Sequence, residues 1–95
     1  MAAKVIWSPR AVTDLEDTCN YIARDSQRYA SVFASTILTL VKQIPQFPEA
    51  GRIVPEYGDA MLREKIYGNY RIVYRIKPDA IEIVAIHHGA RIFTL

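Results

Sequence analysis

Residues 61–93, MLREKIYGNYRIVYRIKPDAIEIVAIHHGARIF, decide how this chain folds. Three short runs alternate apolar with charged residues. Gly68-Asn69 separates the first two and Lys77-Pro78-Asp79 the second two. Period-two alternation broken by turn residues predicts a three-stranded antiparallel meander. One face is expected to be apolar and the other to carry arginine, lysine and histidine.

The register of the first hairpin decides which residues share a face. A two-residue turn at Gly68-Asn69 sets Lys65 opposite Ile72 and Arg63 opposite Tyr74, which mixes charge and apolar groups on both faces. A three-residue loop, Tyr67-Gly68-Asn69, sets Ile66 opposite Tyr70, Glu64 opposite Ile72 and Leu62 opposite Tyr74. It gathers Arg63, Lys65, Arg71, Val73 and Arg75 on the other face, leaving Glu64 as a misfit that needs a partner or an edge. A one-residue slip exchanges the faces of a whole strand. Segregation of charge favours the three-residue loop.

In the second hairpin, a two-residue turn at Pro78-Asp79 pairs Arg75 with Glu82, an opposite-charge pair across the ladder. This register turns Ile81, Ile83, Ala85 and His87 toward the rest of the protein. Val84, Ile86 and His88 then lie outward with Arg71 and Arg75. An outer face holding Val73, Val84 and Ile86 among charges is not an ordinary solvated sheet face, and the expectation is that a partner covers it.

Upstream, Lys4 to Trp7 reads as a short strand. Ser8-Pro9 is a helix start, with Ser as N-cap and Pro at the first helical position. Val12, Leu15, Cys19, Ile22 and Ala23 recur at helical spacing, so a first helix runs from about Pro9 to Arg24. Asp14, Glu16 and Asp17 sit early in it, where the helix dipole favours acids. Ser26 caps a second helix whose stripe is Tyr29, Ala30, Phe33, Ala34, Ile37, Leu40, Val41 and Ile44. The short link implies an antiparallel helical hairpin, with Tyr21 and Tyr29 near its edge. Residues 45–60 hold three of the five prolines and two of the four glycines. They read as a loop with Phe47 tucked into the core. The fold class is α+β: a short N-terminal strand, then a helical hairpin packed on one face of a mainly antiparallel three- to four-stranded sheet, in the order β-α-α-β-β-β.

With 95 residues, residues 1–95 form one small domain. A net charge of +2 is too small to argue nucleic-acid binding by itself. Its distribution is uneven: from Arg63 onward, Arg63, Lys65, Arg71, Arg75, Lys77 and Arg91 outnumber Glu64, Asp79 and Glu82. Such a local basic face suits an acidic or anionic partner. The single cysteine, Cys19, excludes a disulfide within the chain and a cysteine-based zinc site. No phosphate-cradling glycine loop, metal-spaced cluster or Ser-His-Asp pattern stands out, so neither metal nor cofactor is expected. MAAKVIWSPR lacks an apolar signal core and no run has membrane-span length, which gives a cytoplasmic expectation.

The residues with chemistry to offer are Arg63, Lys65, Arg71, His88 and Arg91, with His87 nearby. Arginine and lysine hold phosphates and stabilise developing negative charge, and histidine exchanges protons near neutral pH. Metal-independent RNA cleavage requires such parts. The plainer alternative is a sheet face neutralised by solvent or a partner, with His87 a hydrogen-bonded core residue.

WSPRAVTDLEDTCNYIARDS, QFPEAGR, LREKIYGNYRIVYRI and IEIVAIHHGAR together resemble the RelE/ParE superfamily of toxins from bacterial type II toxin–antitoxin modules, over nearly the full length. The resemblance implies neutralisation by a cognate antitoxin in a toxin–antitoxin hetero-oligomer. In the RelE-like branch, which cleaves mRNA on the ribosome, Arg71 of Tyr70-Arg71 and Arg91 of Gly89-Ala90-Arg91 match catalytic arginines. Arg63 and Lys65 fall near its paired lysines if the turn holds a gap, and a histidine near His87 or His88 serves in some relatives. The tail tyrosine of other members has no counterpart. The ParE-like branch binds and inhibits DNA gyrase, and the long helical hairpin, LREKIYGNYRIVYR and HHGAR resemble it more. On that reading Arg71, Arg75, Val73, Val84 and Ile86 form a binding surface. Gyrase inhibition is favoured, a ribosome-dependent endoribonuclease is the alternative, and an inactive member that only binds antitoxin is the second alternative.

Overall fold

In the computed structural model, which describes residues 3–95, the chain runs β1 (Lys4–Trp7), α1 (Pro9–Ala23), α2 (Gln27–Gln43), two 3-10 turns (Ile44–Gln46 and Pro48–Ala50), β2 (Arg52–Ile53), β3 (Leu62–Tyr67), β4 (Tyr70–Ile76) and β5 (Ala80–His88). The sheet has five strands in the order β1-β5-β4-β3-β2. β1 pairs parallel to β5 and the other pairs are antiparallel. The expected α+β arrangement therefore holds, and the two-residue β2 adds an edge strand inside the segment read as loop.

Both helices begin as their caps dictate. The Ser8 hydroxyl accepts from the Ala11 N–H at 3.0 Å, and the Ser26 hydroxyl from the Tyr29 N–H at 3.2 Å. α1 ends one residue before the expected Arg24, which serves as its C-cap. Asp14 lies beyond the first turn, which holds no acid, so dipole compensation is not its role. Phe33, Ile37, Val41 and Ile44 pack with Ala11 onto Ile72, Tyr74, Ile81, Ile83 and Ile86 of the sheet, and this is the larger core.

Two registers differ from the sequence-based expectation. The β3–β4 turn has two residues, with Lys65 opposite Ile72 and Arg63 opposite Tyr74. Gly68 takes φ +57° and Asn69 does not, the type II′ pattern that suits the twist of paired strands. Charge is consequently mixed on both faces: Arg63 and Lys65 share the helix side with Ile72, while Glu64 and Arg71 lie on the outer side. Segregation failed as a guide because the outer face is not a solvated face. Glu64, the misfit, has found its partners there in Arg71 and Arg52.

The β4–β5 turn is as expected, with Arg75 opposite Glu82. The register then shifts between Val73 and Tyr74, leaving Val84 as an extra residue in β5. This β-bulge reverses the later faces: Ile86 and His88 turn to the helix side, and Ala85 and His87 turn outward, opposite to the expectation for all four. The bulge is held by α1. The Ser8 hydroxyl donates to the Val84 carbonyl at 2.8 Å, and the Asp14 carboxylate accepts from the Ile86 N–H at 3.0 Å. A bulge leaves ladder groups unpaired, and these two side chains pair them.

Phe47 is the other correction. It is not in the core but 72% exposed. Its loop is fastened from beneath: the buried Tyr74 hydroxyl donates to the Pro48 carbonyl at 2.5 Å and accepts from the Gly51 N–H at 3.2 Å. A side chain at Gly51 would strike that hydroxyl.

Candidate functional site

The outer face of the sheet carries a second, smaller core made of Val54, Leu62, Val73, Ala85 and Phe93, with Val84 packed against it. The chain covers this face itself. The segment Arg91–Leu95 crosses it as a strap, and the loop from Val54 to Gly58 lies alongside. Phe93 is buried to 1% exposure. The Leu95 N–H donates to the Tyr57 hydroxyl at 2.9 Å, and an Arg10 guanidinium nitrogen donates to the Thr94 carbonyl at 2.5 Å. The Arg10 guanidinium also lies 5.0 Å from the Phe93 ring centroid. The partner expected over Val73 and Val84 is thus replaced by the protein's own C-terminal residues.

Arg71 stands at the centre of this arrangement, 4% exposed. Its Nε donates to Glu64 at 2.6 Å, and its two terminal nitrogens grip both oxygens of Glu56 at 2.8 and 2.6 Å. Glu56 also accepts from the Phe93 N–H at 2.8 Å, so one carboxylate ties the arginine to the strap. Arg52 pairs with the far oxygen of Glu64. Two cations and two anions therefore close a neutral network, and every Arg71 N–H direction toward the strap is used. The Arg71 hydrogen bonds, followed by the Phe93 N–H, hold the Glu56 carboxyl down at about 2. The same glutamates hold the Arg71 guanidinium above its ordinary range. His87, opposite Arg71 across the ladder, donates from Nε2 to the Arg91 carbonyl at 3.0 Å. That acceptor requires a proton on Nε2.

The other candidate residues are dispersed. Arg63 is on the helix side and braces the loop, donating to the carbonyls of Ala60, Glu49 and Gly51 at 2.8, 3.1 and 3.1 Å. Lys65 lies on that same side opposite Ile72. Arg75 is at the far end of the outer face, 3.6 Å from Asp59. Ile86 is buried in the larger core. His88 and Arg91 do come together: they line a cleft of about 430 Å³ with Asp17, Thr18, Tyr21 and Tyr70. His88 is exposed, its ring 5.3 Å edge-on to Tyr70, and its Nδ1 accepts from the Ala90 N–H at 3.3 Å. Glu56, which holds Arg71 and the strap, was absent from the sequence reading. It sits in an exposed loop with no periodic signal, and only its pairing with a buried arginine singles it out.

Two helices on one side of a mixed sheet, and an opposite side covered by the chain's own C-terminal strap, are the frame in which these residues sit. The model of the ParE toxin family, from the parDE type II system, matches residues 5–93, and the chain belongs to that family. It is 33% identical over 91 residues to Toxin RelE2 of Caulobacter vibrioides, covering 95% of this chain and 99% of that one. Its fold is similar to a structure of the chromosomal ParDE toxin–antitoxin system from P. aeruginosa. The TM-score is 0.74 at 20% identity, covering 92% of this chain and 96% of the other. Membership in a toxin–antitoxin family implies an antitoxin partner.

Proposed function

We propose that this toxin arrests growth by binding and inhibiting DNA gyrase, without catalysing a reaction itself, and that its cognate antitoxin neutralises it in the cytoplasm. One observation carries this reading: the cations that RNA cleavage would need are either paired with carboxylates, as Arg71 and Arg52 are beside His88, or lie on the opposite face. Arg71 is saturated by Glu56 and Glu64 on the outer face, whereas Arg63 and Lys65 belong to the opposite face. Cleavage of a phosphodiester needs a cation free to meet developing charge within hydrogen-bond reach of a proton donor or acceptor. A stoichiometric inhibitor has no such requirement. Purified toxin is expected to block supercoiling by purified gyrase and to leave a translated mRNA intact. Codon-periodic cuts with normal supercoiling overturn this reading, and absence of growth arrest on induction points to an inactive antitoxin-binding member.

The ribosome-dependent endoribonuclease remains the second reading, and the His88 cleft favours it. With Nδ1 accepting from Ala90, neutral His88 carries its proton on Nε2, poised to donate beside the exposed Arg91 side chain. His88→Ala is expected to abolish mRNA cleavage under this reading; cleavage retained in that variant removes His88 from the role.

A further inference from the structure

The sheet has two edges, and they are finished differently. At one end β2 is only two residues long, opposite Glu64 and Arg63, and the chain turns away at Pro55. A very short strand followed by a proline is a blunted edge. At the other end β1, Lys4–Trp7, pairs with β5 on one side and with no strand on the other. Backbone groups point to alternate sides along a strand. The Ser8 N–H donates to the Ile83 carbonyl of β5 at 2.9 Å, so the backbone groups of Lys4 and Ile6 also point toward β5. Those of Val5 and Trp7 point outward, and among the described residues they have no partner. After Lys4 the strand is wholly apolar. Val5 and Trp7 pack half-buried against the larger core, while Ile6, opposite Glu82 on the outer face, is 43% exposed.

We propose that β1 pairs antiparallel with β1 of a second copy about a two-fold axis through Ile6, joining two five-stranded sheets into one. Outward backbone groups alone can form the hydrogen-bonded pairs, and setting Val5 opposite Trp7 of the second copy uses all of them, once on each side of the axis. Each such pair lays an aromatic ring beside a β-branched side chain, a favourable cross-strand match. Ile6 meets its own equivalent on the axis, and Lys4 falls opposite Ser8. A two-fold contact brings each central residue against its own copy, so a charge there would repel itself. The one charge of this strand is at its end, where the second copy presents a hydroxyl. A foreign strand would have to be matched to this pattern, whereas the second copy carries it already. The axis stands perpendicular to the sheet, so both helical hairpins lie on one side and both straps on the other. So short a ladder is less than a standard interface, and the dimer is expected to be weak, with a dissociation constant on the order of 100 µM. This goes beyond gyrase inhibition and does not depend on it; the supercoiling assay decides that question separately.

The test is sedimentation velocity of the purified toxin without antitoxin from about 10 µM to about 1 mM, a range that brackets this constant. Trp7 is the only tryptophan in the chain, so its fluorescence reports on this edge alone. The wild type is expected to pass from monomer to dimer while Trp7 emission shifts to shorter wavelength over the same concentrations. Ile6→Lys sets two ammonium groups across the axis and is expected to stay monomeric. Ile66→Lys makes the same charge change at a 55% exposed residue of β3, far from β1 in the sheet order, and is expected to dimerise as the wild type does. A wild type that remains monomeric at about 1 mM overturns the proposal. So does a dimer that survives in Ile6→Lys, or one that Ile66→Lys abolishes equally. If Ile6→Lys does not fold, amide exchange in the wild type decides. Val5 and Trp7 amides are expected to slow several-fold as concentration rises, while the Ile6 amide, already turned to β5, stays constant. Unchanged exchange at Val5 and Trp7 overturns the pairing, and so does slowing that occurs only when antitoxin is added, which gives the edge to a foreign strand.

Discussion

The two faces of the sheet are built from the same alternating pattern and closed by different means. The helix side is covered by fifteen- and seventeen-residue amphipathic helices that bring Phe33, Ile37 and Val41 onto Ile72, Tyr74 and Ile83. Its burial is almost wholly apolar and tolerates small changes of shape. The outer side is covered by a five-residue strap and a loop, and a charged network lies beneath them. Apolar burial is non-directional, whereas a buried ion network holds only if each member finds its partner. The outer face should therefore be the more brittle one.

Four substitutions probe that contrast, in falling order of effect. Glu64→Ala leaves buried Arg71 and half-exposed Arg52 short of a partner. It is expected to cost about 3–5 kcal/mol in urea unfolding, more than an equally buried aliphatic truncation such as Ile83→Val at about 1 kcal/mol. A loss similar to that of Ile83→Val would erase the distinction between the faces. Phe93→Ala empties the small core and loosens the strap, with an expected loss of about 3–4 kcal/mol. The larger core should remain folded, seen as retained far-ultraviolet dichroism below the shifted midpoint. Asp14→Ala strips the Ile86 N–H of its acceptor at the bulge, for about 1–2 kcal/mol, and should change the chemical shifts of His87 and His88 more than those of Ile81. Phe47→Ala should alter stability by no more than about 0.5 kcal/mol, because its ring is already in solvent.

The helix side was legible in the sequence because its signals are local. Ser8-Pro9 and Ser26 set the helix starts, and period-3.6 stripes gave the buried residues. The outer face was not legible, because its determinants are specific side-chain pairings that no local pattern announces. The bulge at Val84 is stabilised by Ser8 and Asp14, more than seventy residues away in sequence. Nothing in AIEIVAIHH marks it, and without it Ala85, Ile86, His87 and His88 fall on the wrong faces. The three-residue loop was preferred on the premise that like charges gather at a wet surface. The pairing of Glu64 with Arg71 defeats that premise, although the Gly-Asn turn signal itself pointed to two residues. Glu56 carried no signal at all. Of the candidate site, the sequence picked out Arg71, His88 and Arg91 as chemically able residues. It could not show that the first is held by two glutamates, or that His88 stands between a pocket shared with Arg71 and a cleft shared with Arg91.

The claim on which the rest depends is that Arg71 is neutralised within the chain by Glu56. Linkage gives it a sign. Glu56 is held at about 2, below its unfolded value, so its contribution to stability is complete above about pH 4.5 and is lost as pH falls toward 2. The most direct measurement is the titration of the Glu56 side-chain carboxyl by carbon-detected nuclear magnetic resonance. The structure predicts a midpoint near 2 that returns toward the ordinary carboxylate range in Arg71→Ala. A midpoint already in the ordinary range in the wild-type protein would contradict the account.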